Sequence, residues 1–116
     1  MAVTWKSMVL NTTITATSGT SRQLLYTASN GIAEINHATV RNTHASNAYD
    51  CYIYVKDDAT LSGALDPIDK INVAADTTVT ITKLISHRVP KSGTIQVHDD
   101  SGADLQITIS GDKRTQ

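Results

Sequence analysis

Residues Lys91–Gly111 read KSGTIQVHDDSGADLQITISG, and the alternation within them decides the fold class. In TIQVH the apolar Ile95 and Val97 are two residues apart, and in DLQITIS so are Leu105, Ile107 and Ile109. Successive side chains of a strand point to opposite faces, so each run is a strand with one apolar face. Between them lies HDDSGAD, an acidic Gly-containing turn, and the unit reads as an antiparallel hairpin. Upstream, TTVTIT repeats the pattern, with Val79 and Ile81 inward and Thr78, Thr80 and Thr82 outward. Pro90 and Gly93 in HRVPKSG form a tight turn between the two stretches.

Further out, the same grammar recurs. RQLLYTA is a strand that stops at Ser29–Gly31, and Thr12–Thr15, β-branched throughout, is placed to pair with it. In AEINHATVRNT, Ile35 has the opposite parity to Ala38 and Val40, which predicts a bulge near His37. Tyr49–Lys56 is the clearest single strand, with Cys51, Ile53 and Val55 on one face and Tyr52 and Tyr54 on the other. Two well-populated faces mean that the second is covered, by a loop or by a partner subunit. Residues Asp57–Asn72 show helical spacing at Leu61, Ala64, Leu65 and Ile68, but Gly63 and Pro67 oppose a helix, so this stretch reads as a long loop. The expectation is an all-β chain: a single antiparallel β-sandwich of about eight short strands, jelly-roll or immunoglobulin-like. One domain spans 1–116, with 1–11 a docking arm or edge strand, the arm preferred, and 112–116 a loose tail.

Composition narrows the function. With 40% apolar and 18% charged residues the chain can fold, and 116 residues suit one core. A net charge of −1 argues against a sequence-independent grip on nucleic acid. There is no Phe, so the core must be Ile, Val, Leu and Ala, and stacking platforms are confined to Trp5 and four tyrosines. No stretch approaches the roughly 20 apolar residues of a membrane helix. No membrane partner is therefore expected, and synthesis is expected in a host cytoplasm. Cys51 is the single cysteine and reads as a small buried hydrophobe.

Reactive constellations are missing from the sequence. His37, His44, His87 and His98 are dispersed, without ligand spacing on one element. HDDSGAD lacks the length and oxygen spacing of an EF-hand loop. Asp57/Asp58 and Asp99/Asp100 are neighbours on extended backbone whose side chains diverge, unlike a catalytic dyad. No GxSxG elbow or phosphate-cradling glycine loop is found. The expectation is a protein that is not an enzyme, with no cofactor and no metal.

The order of LLYTA, VRNT, YIYV, INVAADTTVTIT, PKSGTIQV and DLQITISG resembles the small β-sandwich virion proteins of tailed bacteriophages. Leu25–Ala28, Asn42–Thr43, Ala75–Thr80, Gly93–Val97 and Ile107–Gly111 carry the resemblance, which covers roughly Gln23–Gly111. It implies a structural protein of the virion that decorates or cements the outer capsid shell, or an accessory subunit of neck, tail or fibre. A receptor- or glycan-binding module on the same scaffold is the remaining alternative. The partners expected are a homo-oligomer, a trimer first, and the major capsid protein or another virion protein. Trp5, Met8 and Val9 near the N-terminus and Tyr52 and Tyr54 on the second strand face are the expected contact residues.

Overall fold

The computed structural model describes the backbone of residues 2–115 and side chains from 8 to 114. Among the described residues there is no helix; the strands are β1 (Ala2–Thr13), β2 (Gln23–Thr27), β3 (Gly31–Asn42), β4 (Tyr49–Lys56), β5 (Asp69–Val73), β6 (Thr78–Thr80), β7 (Arg88–Val89), β8 (Thr94–Asp99) and β9 (Leu105–Thr115). They form two antiparallel sheets. The first has the order β1-β9-β3-β6, with β7 also on β3, and the second has the order β2-β8-β4-β5.

The two alternating strands at the end of the chain do not form a hairpin. β8 lies in the second sheet between β2 and β4, and β9 lies in the first between β1 and β3. Alternation reports which face of a strand is apolar, and it is silent about the neighbour. A hairpin would leave Ile95 and Val97 beside Leu105, Ile107 and Ile109 on one face of one sheet. Here the turn carries the chain from one sheet to the other, and all five side chains are fully buried in a shared core. β9 is also too long for β8: its eleven residues need the twelve-residue β1 and β3 as partners.

Most of the core is aliphatic, as the absence of Phe requires. Val9, Ile14, Ile35, Val40 and the β9 isoleucines from the first-sheet side meet Ile53, Val73, Ile95 and Val97 from the second. Each such side chain contributes about 1.5–3 kcal/mol by leaving water. The parity change near His37 is a register shift between Ile35 and His37 in the β3–β9 pairing, which keeps Ile35 and Ala38 both in the core. Gly111 sits opposite Ile35, where a Cβ would collide with the Glu34 carbonyl. The ISG ending therefore combines a core isoleucine with a glycine demanded by close backbone approach.

Two further expectations are corrected and one alternative is decided. Of the docking arm and the edge strand, the edge strand is found: residues 2–13 pair with β9 from Ala2 opposite Thr115 to Thr13 opposite Gln106. The tail is in the sheet as well: Asp112, Lys113 and Arg114 pair with β1 on one side and β3 on the other. Within Asp57–Asn72, the last four residues belong to β5, which extends the second sheet beside β4. Its sequence, DKINV, is too short and too charged to stand out by periodicity.

β1 and β2 do not pair through their backbones. They edge different sheets, and Gln23 bridges them: its Oε1 accepts from the Thr15 amide at 2.7 Å, while its Nε2 donates to the Thr13 carbonyl at 3.1 Å. Asn42 performs a similar task at the other end of β3. Buried there, it donates to the carbonyls of Asn47 and Val73 and accepts from the His44 amide. Thr43 then ties the β8–β9 turn down through two bonds to the Asp104 carbonyl.

Candidate functional site

β8 is buried along its whole length. Ile95 and Val97 face the core, so Thr94, Gln96 and His98 face outward from the second sheet. Register places them beside β4: Thr94 opposite Lys56, Gln96 opposite Tyr54, His98 opposite Tyr52. Their burial comes from two loops laid over this face, Ala16–Arg22 and Thr60–Gly63.

Arg22 is the tie between those loops. Its side chain lies under them, only 4% exposed, and Nε donates to Gln96 Oε1 at 2.7 Å. Nη1 donates to the carbonyls of Gly19 and Gly63, each at 2.6 Å, and Nη2 reaches those of Thr60 and Ser62. The guanidinium carbon stands 5.1 Å from the centre of the Tyr54 ring, within cation–π range. Every hydrogen-bond acceptor is neutral, so the cation is held by oriented dipoles instead of a carboxylate. Charge-assisted bonds of this kind are about twice as strong as neutral ones. Gln96 completes the seam, donating to the Thr60 carbonyl and to Thr94 Oγ1.

His98 lies next to this seam. Its ring stacks on Tyr52 with centroids 4.2 Å apart and planes 4° from parallel, and Nδ1 is 3.0 Å from Tyr54 Oη. Gly19 closes over it; a Cβ there would come 3.1 Å from Tyr54 Oη and 3.3 Å from His98 Cε1. Burial lowers the imidazole's affinity for a proton, with Arg22 acting the same way and the charges of Asp99 and Asp100 opposing. Burial raises the Tyr54 hydroxyl, so it keeps its proton near neutrality. Asp99, fully buried at the end of β8, is also raised by burial, against the pull of donors from Ser101 and Gly102. HDDSGAD is thus a turn capped by its own aspartate.

This arrangement is cohesive. The guanidinium is saturated by carbonyls, the imidazole is enclosed between tyrosines, and Cys51, fully buried, has a thiol pushed far above its ordinary value by burial and next by the charge of Asp99. Among the described residues, no group of three His, Cys, Asp or Glu side chains is placed to hold a metal ion. One buried polar side-chain atom among them has no partner, the hydroxyl of Tyr26 on the core side of β2.

The second region is the edge strand β1. Its pairing with β9 is regular from Ala2 to Ser7 and then shifts register twice, between Ser7 and Val9 and between Val9 and Thr12. Asn11 takes a left-handed φ of 43° in the second shift, held by a pair of bonds to Thr108. Leu10, beside it, is 70% exposed. Bulges of this kind twist an edge and interrupt further strand pairing, so the regular half of β1 is the open half.

The expected contact residues separate. Trp5 is opposite Asp112 in the β1–β9 pairing, and its side chain lies outside the described residues. Met8 is half-buried against the core. Val9 is withdrawn from any outer surface: it is 4% exposed and belongs to the core, because the register shift turns it inward. Tyr54 is likewise withdrawn, being 2% exposed beneath Arg22 and Gly19; a loop covers the second face of β4 there. Tyr52 remains half-buried, with His98 on one side and Lys70 Nζ 5.5 Å from its ring centre. Sequence reasoning missed Arg22 and Gln96, and weighed His98 only as a metal ligand. The signal was present in β8, where T-I-Q-V-H alternates two core residues with three hydrogen-bonding ones.

Comparison of the chain with protein-family models, with characterised proteins and with solved structures finds no match.

Proposed function

We propose that this chain is a jelly-roll β-sandwich and a non-enzymatic structural protein of a tailed-phage virion, decorating or cementing the outer capsid shell as a homo-oligomer, a trimer first. The observation that carries the reading is the strand order. Setting aside the two-residue β7, eight strands alternate between sheets ordered β1-β9-β3-β6 and β2-β8-β4-β5. Successive strands cross from sheet to sheet everywhere except between β4 and β5, which stay together, as the interlocked Greek keys of a jelly roll require. That architecture recurs in viral capsid and lectin domains.

The capsid reading is favoured over the glycan-binding one by the fate of the aromatic rings. A sugar needs an open ring face, whereas the faces of Tyr52 are taken by His98 and Lys70, and Tyr54 is roofed by Arg22. What the molecule offers a partner is edge and surface: the regular half of β1, and the exposed Leu10 beside it. Interior polar groups are used for cohesion, which suits a repeated building block. Trp5 and Met8 on β1 are the proposed contacts, with other copies of the chain and the major capsid protein as partners.

The test is to add purified protein to particles that lack it. Saturable binding in many copies, with a rise in the temperature at which the shell opens, is expected for a cement. Failure to bind such particles, or binding to glycans on an array instead, would overturn the reading.

A further inference from the structure

His98 lies beneath the Gly19 backbone, and its bond to Tyr54 uses a ring nitrogen that protonation alters. Its outward-facing ring is 9% exposed and is contacted from three directions: Tyr52 in a parallel stack, Tyr54 Oη on Nδ1, and the Gly19 backbone over Cε1. In the neutral tautomer with its proton on Nε2, Nδ1 accepts from the Tyr54 hydroxyl, which has no other acceptor among the described residues. Protonation takes Nδ1 out of service as an acceptor, so the Tyr54 bond must turn round. It also places a second cation beside the buried Arg22, whose hydrogen-bond acceptors are all neutral. Facing groups are Tyr52, Tyr54 and, beyond Tyr52, Lys70 from β4 and β5; Arg22 from the first covering loop; and Asp99 and Asp100 on the same strand and turn, with Asp66 acting on Tyr54. Asp99 is engaged by Ser101 and Gly102, and Asp100 accepts from the Asp50 amide; their charges favour the imidazolium, but burial and Arg22 outweigh them.

We propose that His98 is an acid-operated latch: neutral, it seats the Ala16–Arg22 and Thr60–Gly63 loops on the outer face of the second sheet, and protonated, it releases them while both sheets stay folded. The direction of the imidazole's shift agrees with the geometry, since its proton affinity is lowered in the docked state. The sign follows. Docking is at full strength above the ordinary imidazole value and weakens as pH falls from there to the lower value of the docked state. Between those two values the open fraction rises by about tenfold per pH unit, and below the lower value it levels off.

Amide hydrogen exchange by NMR tests this on the intact chain, with protection factors corrected for intrinsic exchange. The Arg22 amide, bonded to the Leu61 carbonyl, and the Asp99 amide, bonded to the Ala16 carbonyl, report docking. The Ile81 amide, bonded to the Ala38 carbonyl, reports the first sheet. The latch predicts that protection of the first two falls by about tenfold per pH unit between the ordinary imidazole value and the lower value of docked His98, while Ile81 holds. In His98→Asn, which keeps an acceptor near Nδ1, that dependence should vanish. The latch is overturned if the loop amides ignore the His98 titration in the wild-type protein, if Ile81 loses protection with them, or if a folded His98→Asn keeps the dependence. Should that variant not fold, the wild-type comparison alone decides.

Discussion

Replacing Arg22 by Met removes the guanidinium and keeps most of the aliphatic stem. The loss has separable parts. Gln96 Oε1 is left buried without its donor, which costs about 1–3 kcal/mol. The carbonyls of Gly19, Thr60, Gly63 and Ser62 lose charge-assisted bonds, but they lie in loops that can turn toward water. Loss of the cation over Tyr54 adds about 0.5–2 kcal/mol. Relief from burying a charge offsets little of this, because five neutral acceptors already solvate the guanidinium. The net expectation is a destabilisation of about 2–4 kcal/mol, read as a fall of about 1–2 M in the urea midpoint. Arg22→Lys keeps the charge but cannot reach Gln96 and two loops at once, so it should recover less than half of the loss. A change below about 0.5 kcal/mol in Arg22→Met, or full recovery by Lys, would refute the view that the fork of donors holds the loops down.

Three other outcomes follow from the packing. Tyr26→Phe removes the unpartnered hydroxyl and should raise stability by up to about 1–2 kcal/mol in the same urea assay; a loss of 1 kcal/mol would mean that the hydroxyl has a partner. Gly111→Ala forces a Cβ against the Glu34 carbonyl in the middle of the β3–β9 pairing and should cost about 3 kcal/mol or more, measured by thermal unfolding; a neutral substitution would contradict the register. Cys51, buried and with its thiol disfavoured as thiolate, should resist a maleimide in the native protein and react fully in urea; rapid native labelling would show that the core is open there.

Which parts of this fold could be read from the sequence depends on the range over which each signal acts. Strand character is local, and Ile95/Val97, Leu105/Ile107/Ile109 and Cys51/Ile53 announce their buried faces by parity alone. The shift at His37 was legible for the same reason. Pairing is not local. Nothing in HDDSGAD distinguishes a hairpin from a crossing between sheets, and the difference lies in the lengths of β1 and β3, most of a chain away. The tail misled because Asp112, Lys113 and Arg114 look solvated, yet a central strand flanked on both sides orders its polar residues too.

The covered face of β4 divides in the same way. Two populated faces correctly required a cover, but its identity depended on Arg22, one cation in a polar stretch whose partners are mostly main-chain carbonyls. Such partners leave no trace in the sequence. The elements that carry the virion resemblance are better explained by the fold: Asn42 and Thr43 tie loops, Ala28 is buried and its backbone bonds to Ser92 and Gly93, and Gly93 has no room for a Cβ between the carbonyls of Lys56 and Pro90. They mark architecture.

The most direct measurement of the central proposal is electron microscopy of the intact phage particles to which this chain is proposed to belong. The account predicts many copies on the outer shell, arranged about a symmetry axis, each matching a body of 47 × 29 × 19 Å, with β1 at a contact. Its absence from the particle, or a few copies at the end of a fibre with the covering loops turned toward a receptor, would contradict it.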